Sequence, residues 1–554
     1  MGNEMYADKT VVWQPGKSIR GKSGQKLIVI IPTPRCVVDS HIHIENGACT
    51  PLPLLWDKNE LIRGWKRKTI DFLGEKVGHF IGLGEGGKLQ VMSTVSIADR
   101  AVRDNDLTFS PDGRIMSSDF FRHSDFFSPM IIMPMDMEYA HIAGYDGQTI
   151  YHTDEFPWYY HRRISGAEPE QNGLKVELPG ETTKSFSHWK VQYKDTVTSA
   201  KNNPLKLIPM YHYEPRGWRG NSGSGIEKTR WDFGAWDYPF KEVVTAKQNG
   251  IFFGFKMYTP LGYQPLDPVL THLWQHSGNK SGCYYGKCED EGIPILAHCS
   301  PGGMTSHEML YYRELHRENP QKYCHTPFEF QDEYKKKNPD AGKNRSGQIS
   351  SYSADYEMEY FYRYHVHPKA WRKVLEKFPK LKLCLAHFGG DEWQKGVESD
   401  WVREIVSLME DYPGVYADFS CHDIKKNGPA FRHVLSYAKN TPVYERLLFG
   451  TDWYMTMLAL KGKGYKQFCE EYWELIDDKD LWLRFTFLNP FEFYGFNDEA
   501  KLKNLYDGIR AEVDNDKENR SKRQERIEKN YSSFRRMLKQ YSKLKDKLGG
   551  RNAK

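Results

Sequence analysis

Eight short apolar runs recur along the chain, at 36–41, 130–137, 205–213, 251–258, 293–298, 381–387, 415–420 and 446–452. Each has the length of a strand and is rich in Val, Ile, Leu, Phe or Met. Clean alternation of apolar and polar positions is missing from them, as expected of strands covered on both faces. Helical patterns lie between. The clearest opens at Pro368: Trp371, Val374, Leu375 and Phe378 fall at i, i+3, i+4 and i+7, while Lys369, Arg372, Lys373 and Glu376 take the opposite side. Residues 241–247 and 404–410 predict shorter helices ahead of strands four and seven.

Strand and helix alternating eight times predict an α/β fold, a (β/α)8 TIM barrel over residues 35–497. Two further strand-like pieces, 10–14 and 26–31, predict a small β segment within residues 1–34. Three intervals, 57–127, 140–203 and 304–366, are too long to be plain connections. All three follow a strand, so in a barrel they are insertions that rise from the C-terminal face and wall whatever lies there. Residues 498–554 form a charged helical tail, in which Ile527, Tyr531, Phe534, Leu538, Tyr541, Leu544 and Leu548 recur every three or four positions. Such a helix packs its stripe on the barrel, or on a second copy of the chain in a homo-oligomer.

Composition narrows the class. Hydrophobic residues at 39%, aromatic at 14% and charged at 27% describe a folded soluble protein, and no run approaches the eighteen apolar residues of a membrane span. Residues 1–20 lack the apolar run of a secretory signal, which predicts a cytoplasmic protein with no membrane partner. The net charge of +5 is uneven: residues 517–554 hold fourteen Lys/Arg against four Asp/Glu, so the tail is +10 and the remainder −5. The body therefore gives no reason to expect nucleic acid, and the expected partner is a small-molecule substrate. Of nine scattered cysteines, Cys36, Cys299, Cys384 and Cys421 lie in or beside the apolar runs and read as buried free thiols, and the close pair Cys283 and Cys288 as ordinary loop residues.

The chemistry sits where the runs end. The first run leads into His41-Ile42-His43, and alternation along a strand points both rings to one side, where both can reach one cation. The fourth contains Lys256, the fifth ends in His298, the sixth in His387 and the eighth in Asp452. Taken singly, His298 and His387 read as well as core histidines; a carboxylate after an apolar run is expensive to bury unless a cation is near. Together they are the donor types a divalent transition metal takes, at the strand ends where barrel active sites are built. The glycines after His387 predict backbone passing close to something bound. Arg216 would hold a substrate carboxylate by two parallel bonds, and Glu138, His212, Tyr258 and Trp393 would line the pocket. Two other motifs are set aside: Gly82-x-Gly84-x-x-Gly87 with Lys88 reads as a loop, and His365-x-His367 precedes a helix and not an apolar strand.

This constellation resembles the amidohydrolase superfamily of metal-dependent barrels. The segments Gly254-Phe255-Lys256-Met257-Tyr258-Thr259-Pro260-Leu261-Gly262-Tyr263, Phe388-Gly389-Gly390, Phe449-Gly450-Thr451-Asp452, and Asn489-Pro490 with Phe493-Tyr494-Gly495-Phe496 are similar to its amidohydrolase-related ("amidohydrolase 2") branch. The resemblance implies that His41, His43 and His298 bind a metal, most readily Zn²⁺, with Asp452 completing the shell and contacting the attacking water. It implies that His387 polarises a substrate carbonyl. Lys256 stays open between a carboxylated bridge to a second metal and an unmodified amine. The implied activity is hydrolysis of a C–N or C–O bond in an amide, lactone or ester, the alternative being nonoxidative decarboxylation of a small carboxylate on the same site.

Overall fold

The computed structural model describes residues 37–44, 128–135, 189–215, 236–261, 263–266, 270–275, 280–301, 366–424, 428–438, 441–453, 479–516 and 519–552. It also describes short pieces at 19–20, 26–27, 81–83, 89–91, 98, 101–102, 107–109, 115–117, 163–164, 176–177, 468–469, 471–472 and 475–476. All eight predicted runs contain strand: β1 Asp39–His43, β2 Met130–Met133, β3 Leu207–Pro209 continuing as Tyr211–His212, and β4 Phe255–Met257. Then come β5 Ile295–His298, β6 Leu383–Ala386, β7 Val415–Asp418 and β8 Leu447–Leu448.

Every neighbouring pair from β1 to β8 is parallel. β3 serves two neighbours in turn, its first half pairing with β2 and its second with β4. Closure comes from the chain beyond β8: Ser40 N–H donates to Phe449 O at 2.9 Å, Asp452 N–H to His41 O at 2.7 Å, and Ile42 bridges Trp453 in parallel. The sheet is thus a closed eight-stranded barrel, with no free edge between β8 and β1. Its interior-facing and helix-facing residues are both buried, which is why the strand runs showed no alternation.

The helices follow local chemistry. α1 is Trp189–Asn202, α2 Tyr284–Asp290, α3 Lys369–Lys377, α4 Asp400–Asp411 and α5 Gly428–Ala438. α3 buries Trp371, Val374 and Leu375, and α4 begins where the Ser399 hydroxyl accepts from Trp401 N–H, a side-chain N-cap. One helix expected from the pattern does not form. Residues 241–247 follow a short 3-10 turn, Tyr238–Lys241, and run irregularly into a bridge between Val243 and Phe252. Two β-branched valines and a threonine resist helix there, and Gln248 Nε2 instead donates to the Phe240, Lys241 and Val243 carbonyls. Cys283 and Cys288 are buried at the start of and within α2, so they are core residues and not loop residues.

The N-terminal piece contains a two-residue pairing of Ile19–Arg20 with Lys26–Leu27; residues 10–14 lie outside the described residues. So do most of the three insertions, including their predicted position over the C-terminal face. Gly82 lies in an antiparallel pair, Ile81–Leu83 with Leu89–Val91, which leaves the glycine-rich stretch as the connection between two strands. The tail turns back onto the opposite end of the barrel. After α6 Asn489–Tyr494 and α7 Glu499–Asn515, the long α8 Arg520–Asn552 buries Ile527, Phe534, Met537, Tyr541 and Leu544. Phe491 stacks on Tyr541 at 5.6 Å, and Tyr541 Oη donates to Glu492 at 2.8 Å. The stripe therefore packs on its own barrel. Among the described residues, no helix is long and apolar enough to cross a membrane.

Candidate metal centre

The period of two places His41 and His43 of β1 on one face of the strand, and both are buried, as is Asp39, which lies across a register shift from them. His41 Nδ1 lies 2.9 Å from Asp418 Oδ2, and His43 Nδ1 lies 3.2 Å from the Met133 carbonyl. Carboxylate and carbonyl oxygens only accept, so both Nδ1 atoms carry the proton and both Nε2 atoms present lone pairs. Those two Nε2 atoms are 3.1 Å apart. Asp452 Oδ1 stands 3.7 Å from the first and 3.6 Å from the second.

A point equidistant from the three atoms lies about 2 Å from each, the length of a Zn–N or Zn–O bond. Two lone pairs and a carboxylate oxygen converging in a buried space repel one another unless positive charge lies between them. Lys256 Nζ, 3.3 Å from His41 Nε2, brings one such charge to the margin of the set. Burial, and then the neighbouring Lys256, hold the pKa values of His41 and His43 well below the usual histidine range. Both are neutral at pH 7, the form in which imidazole binds a metal. The donor set fits a divalent cation.

A second group, His41, His387 and Asp418, also gathers within ligand distance, and it is a hydrogen-bond network. Asp418 Oδ1 accepts from the His387 backbone N–H at 2.9 Å and from Ser420 Oγ at 2.5 Å, and Ser420 Oγ is 2.9 Å from His387 Nδ1. His387, Phe388, Cys421 and Asp452 all have left-handed backbones, with φ of 67°, 44°, 64° and 49°. This conformation is uncommon outside glycine and strained by about 1–2 kcal/mol, so it persists only where neighbours fix it. At His387 the N–H is fixed by Asp418 and the carbonyl by His422 Nε2 at 2.8 Å, whose own Nδ1 accepts from Trp393 at 3.0 Å. At Asp452 the N–H is held by the His41 carbonyl. Thr451 beside it donates through N–H and hydroxyl to Asp39, at 3.0 and 2.7 Å.

His298 sits 4.8 Å ring to ring from both His387 and Tyr258, its Nε2 3.1 Å from Ser300 Oγ, and it belongs to neither ligand group. Lys256 and Tyr258 are buried beside the centre; His212 pairs in register with Lys256; Trp393 lies behind His422. Arg216 and Glu138 lie outside the described residues, as does His365. His367 is engaged elsewhere: its Nδ1 accepts from the Lys369 N–H at 3.2 Å and its Nε2 lies 3.4 Å from Asp400. The glycines after His387 do mark a close approach, but to protein: a Cβ on Gly390 would sit 2.8 Å from Ser300 Cβ. Sequence reasoning missed Asp418, Ser420, His422 and the Asp39–Thr451 pair. Asp418 carried a signal, a carboxylate inside the apolar run 415–420.

Burial pulls the pKa of His422 down to about 4, and those of His41, His43 and His387 also fall. Their folded-state values lie below the unfolded value near 6.5, so at lower pH the unfolded chain binds more protons. The stability contribution is complete above about pH 6.5 and is lost as pH falls toward 4, by roughly 3 kcal/mol for His422 alone. Denaturant unfolding across this window checks the sign, and a flat profile would contradict it.

Residues 252–481 match the family model described as amidohydrolase. No curated protein matches the chain significantly. Among solved structures, a probable 2-pyrone-4,6-dicarboxylic acid hydrolase from Acinetobacter baumannii is similar at 9% identity, covering 83% of this chain and 99% of that one, with a TM-score of 0.33. A 5-carboxyvanillate decarboxylase from Novosphingobium aromaticivorans with bound manganese is similar at 9% identity, over 83% and 97%, with a TM-score of 0.35. A 2,6-dihydroxybenzoate decarboxylase from Rhizobium is similar at 10% identity, over 83% and 98%, with a TM-score of 0.35.

Proposed function

Since residues 252–481 carry the amidohydrolase family's pattern, we propose that this chain is a metal-dependent hydrolase of a C–N or C–O bond in a small amide, lactone or ester. The observation that carries the reading is the pair of inward Nε2 lone pairs 3.1 Å apart, with Asp452 Oδ1 closing the triangle. His41, His43 and Asp452 would hold one divalent cation. His298 would join them by giving up its hydrogen bond to Ser300. When bound, the cation supplies Lewis acidity, enough to bring the pKa of a water down to about 7.

The remaining work falls to side chains. Asp452 takes the proton of the attacking water and returns it to the leaving group, a role open to a carboxylate with one oxygen on the metal side and one facing substrate. His387, across from it, exchanges a proton with the substrate through Nε2. Tyr258 and Arg216 would orient the substrate, the latter by its carboxylate if it has one. Burial of His41, His43, Tyr258, His298, His387 and Asp452 keeps bulk water from these groups and strengthens their interactions.

Purified protein is expected to hold one equivalent of divalent metal, and a chelator to remove metal and activity together. Two equivalents, with Lys256 found as a carbamate, would replace the single cation by a bridged pair. A panel of amides, lactones and aromatic carboxylates decides the reaction: hydrolysed product supports the proposal, whereas carbon dioxide released with no hydrolysed bond makes the chain a decarboxylase.

A further inference from the structure

Asp418 joins the two histidines to which the proposed function gives different tasks. One of its oxygens receives His41 Nδ1 at 2.9 Å. The other receives the His387 backbone N–H at 2.9 Å and the Ser420 hydroxyl at 2.5 Å, and the Ser420 N–H lies 3.2 Å from it. A serine hydroxyl has one proton, and next to a carboxylate, which can only accept, that proton points to Asp418. Ser420 Oγ, 2.9 Å from His387 Nδ1, is therefore an acceptor there, and His387 carries its proton on Nδ1.

We propose that Asp418 is a positioning residue for both halves of the site: directly, it fixes His41 as an Nε2 ligand; through Ser420, it fixes His387 as a proton acceptor at Nε2. The inference rests on the metal-hydrolase reading and changes one part of it. Held in this tautomer, neutral His387 has no Nε2 proton to offer a carbonyl oxygen. It can enter the reaction only as an acceptor at Nε2, taking from Asp452 the proton of the attacking water and, then protonated on both nitrogens, passing it to the leaving group in place of Asp452. The proton so gained is the one given up, so the histidine returns to its starting form. The geometry also explains why the backbone at His387 tolerates φ of 67°: Asp418 grips its N–H while His422 grips its carbonyl.

Two isosteric or smaller variants separate the two arms. Asp418→Asn presents an amide in place of a carboxylate, and loss of such a partner to a ligating histidine lowers metal affinity by about 10–100-fold. Ser420→Ala leaves the His41 bond intact, so its zinc dissociation constant, read by chelator competition, is expected to stay within about twofold of wild type. Its kcat is expected to fall about 10–100-fold with KM unchanged, and Ser420→Thr, which restores a hydroxyl, to recover most of it. Nitrogen-15 shifts of labelled histidine in the zinc-loaded protein supply a readout apart from turnover: wild type shows His387 protonated on Nδ1, and Ser420→Ala shows that preference lost. Wild-type zinc affinity in Asp418→Asn, or His387 protonated on Nε2 in wild type, overturns the proposal while leaving the hydrolase reading standing. Wild-type protein that takes up no zinc removes the hydrolase reading itself.

Discussion

Asp452→Asn is expected to lower kcat by at least about a thousandfold while the protein stays folded. The size follows from two losses at one side chain: the anionic donor that balances the cation, and the base that receives the water's proton. The fold is expected to survive because asparagine has the same shape and, with aspartate, is among the few side chains that accept a left-handed backbone, here φ of 49°. The backbone N–H keeps its bond to the His41 carbonyl at 2.7 Å, so strands β1 and β8 stay joined. Metal affinity, measured separately, is expected to drop less than turnover, because His41 and His43 remain. Glutamate at the same position restores the charge but adds a methylene, which moves the oxygen off the point equidistant from the two Nε2 atoms, and it is expected to recover affinity better than rate. Full activity in Asp452→Asn would show that another group moves the proton.

Much of this site was legible because buried parallel strands and their polar ends write themselves into the sequence. An apolar run that stops in histidine or aspartate marks the point where a strand leaves the barrel, and β1, β5, β6 and the segment after β8 all did so. Asp418 escaped because it sits inside its run, between Ala417 and Phe419, although the expense of burying a carboxylate applies to it as much as to Asp452. Ser420, two residues on, is the kind of residue that composition never singles out; its meaning comes only from lying within reach of Asp418 and His387 at once. The missing helix at 241–247 has the opposite cause. Its apolar spacing allowed a turn, but local side-chain to backbone bonds from Gln248 satisfied the same carbonyls at shorter range. The tail's stripe was readable, whereas the surface it covers, Phe491 and Phe496, belongs to residues distant from strand patterns.

Gly450→Ala is expected to destabilise the protein by about 3 kcal/mol and to weaken metal binding by about 100-fold, although residue 450 is neither ligand nor base. A Cβ at this position would lie 2.9 Å from His41 Cβ and 3.1 Å from Ser420 Cβ, with the His41 backbone nitrogen at 3.4 Å. None of these is the far end of a flexible side chain. The strands cannot drift apart to make room either, since hydrogen bonds lock them on both sides of the glycine, Ser40 N–H to Phe449 O and Asp452 N–H to His41 O. The displacement must then be taken up by the two residues that the methyl group meets. Moving His41 shifts its Nε2 from its partners across the triangle, and moving Ser420 loosens the link between Asp418 and His387. Gly292→Ala is the matched control: its φ of 59° imposes the cost of a left-handed alanine, about 1 kcal/mol, but nothing lies within 4 Å of the new Cβ. Equal metal affinity in the two variants would mean that the close approach of Gly450 to His41 does not set the ligand geometry; a loss confined to Gly450→Ala ties the smallest residue in the neighbourhood to the spacing on which the centre depends.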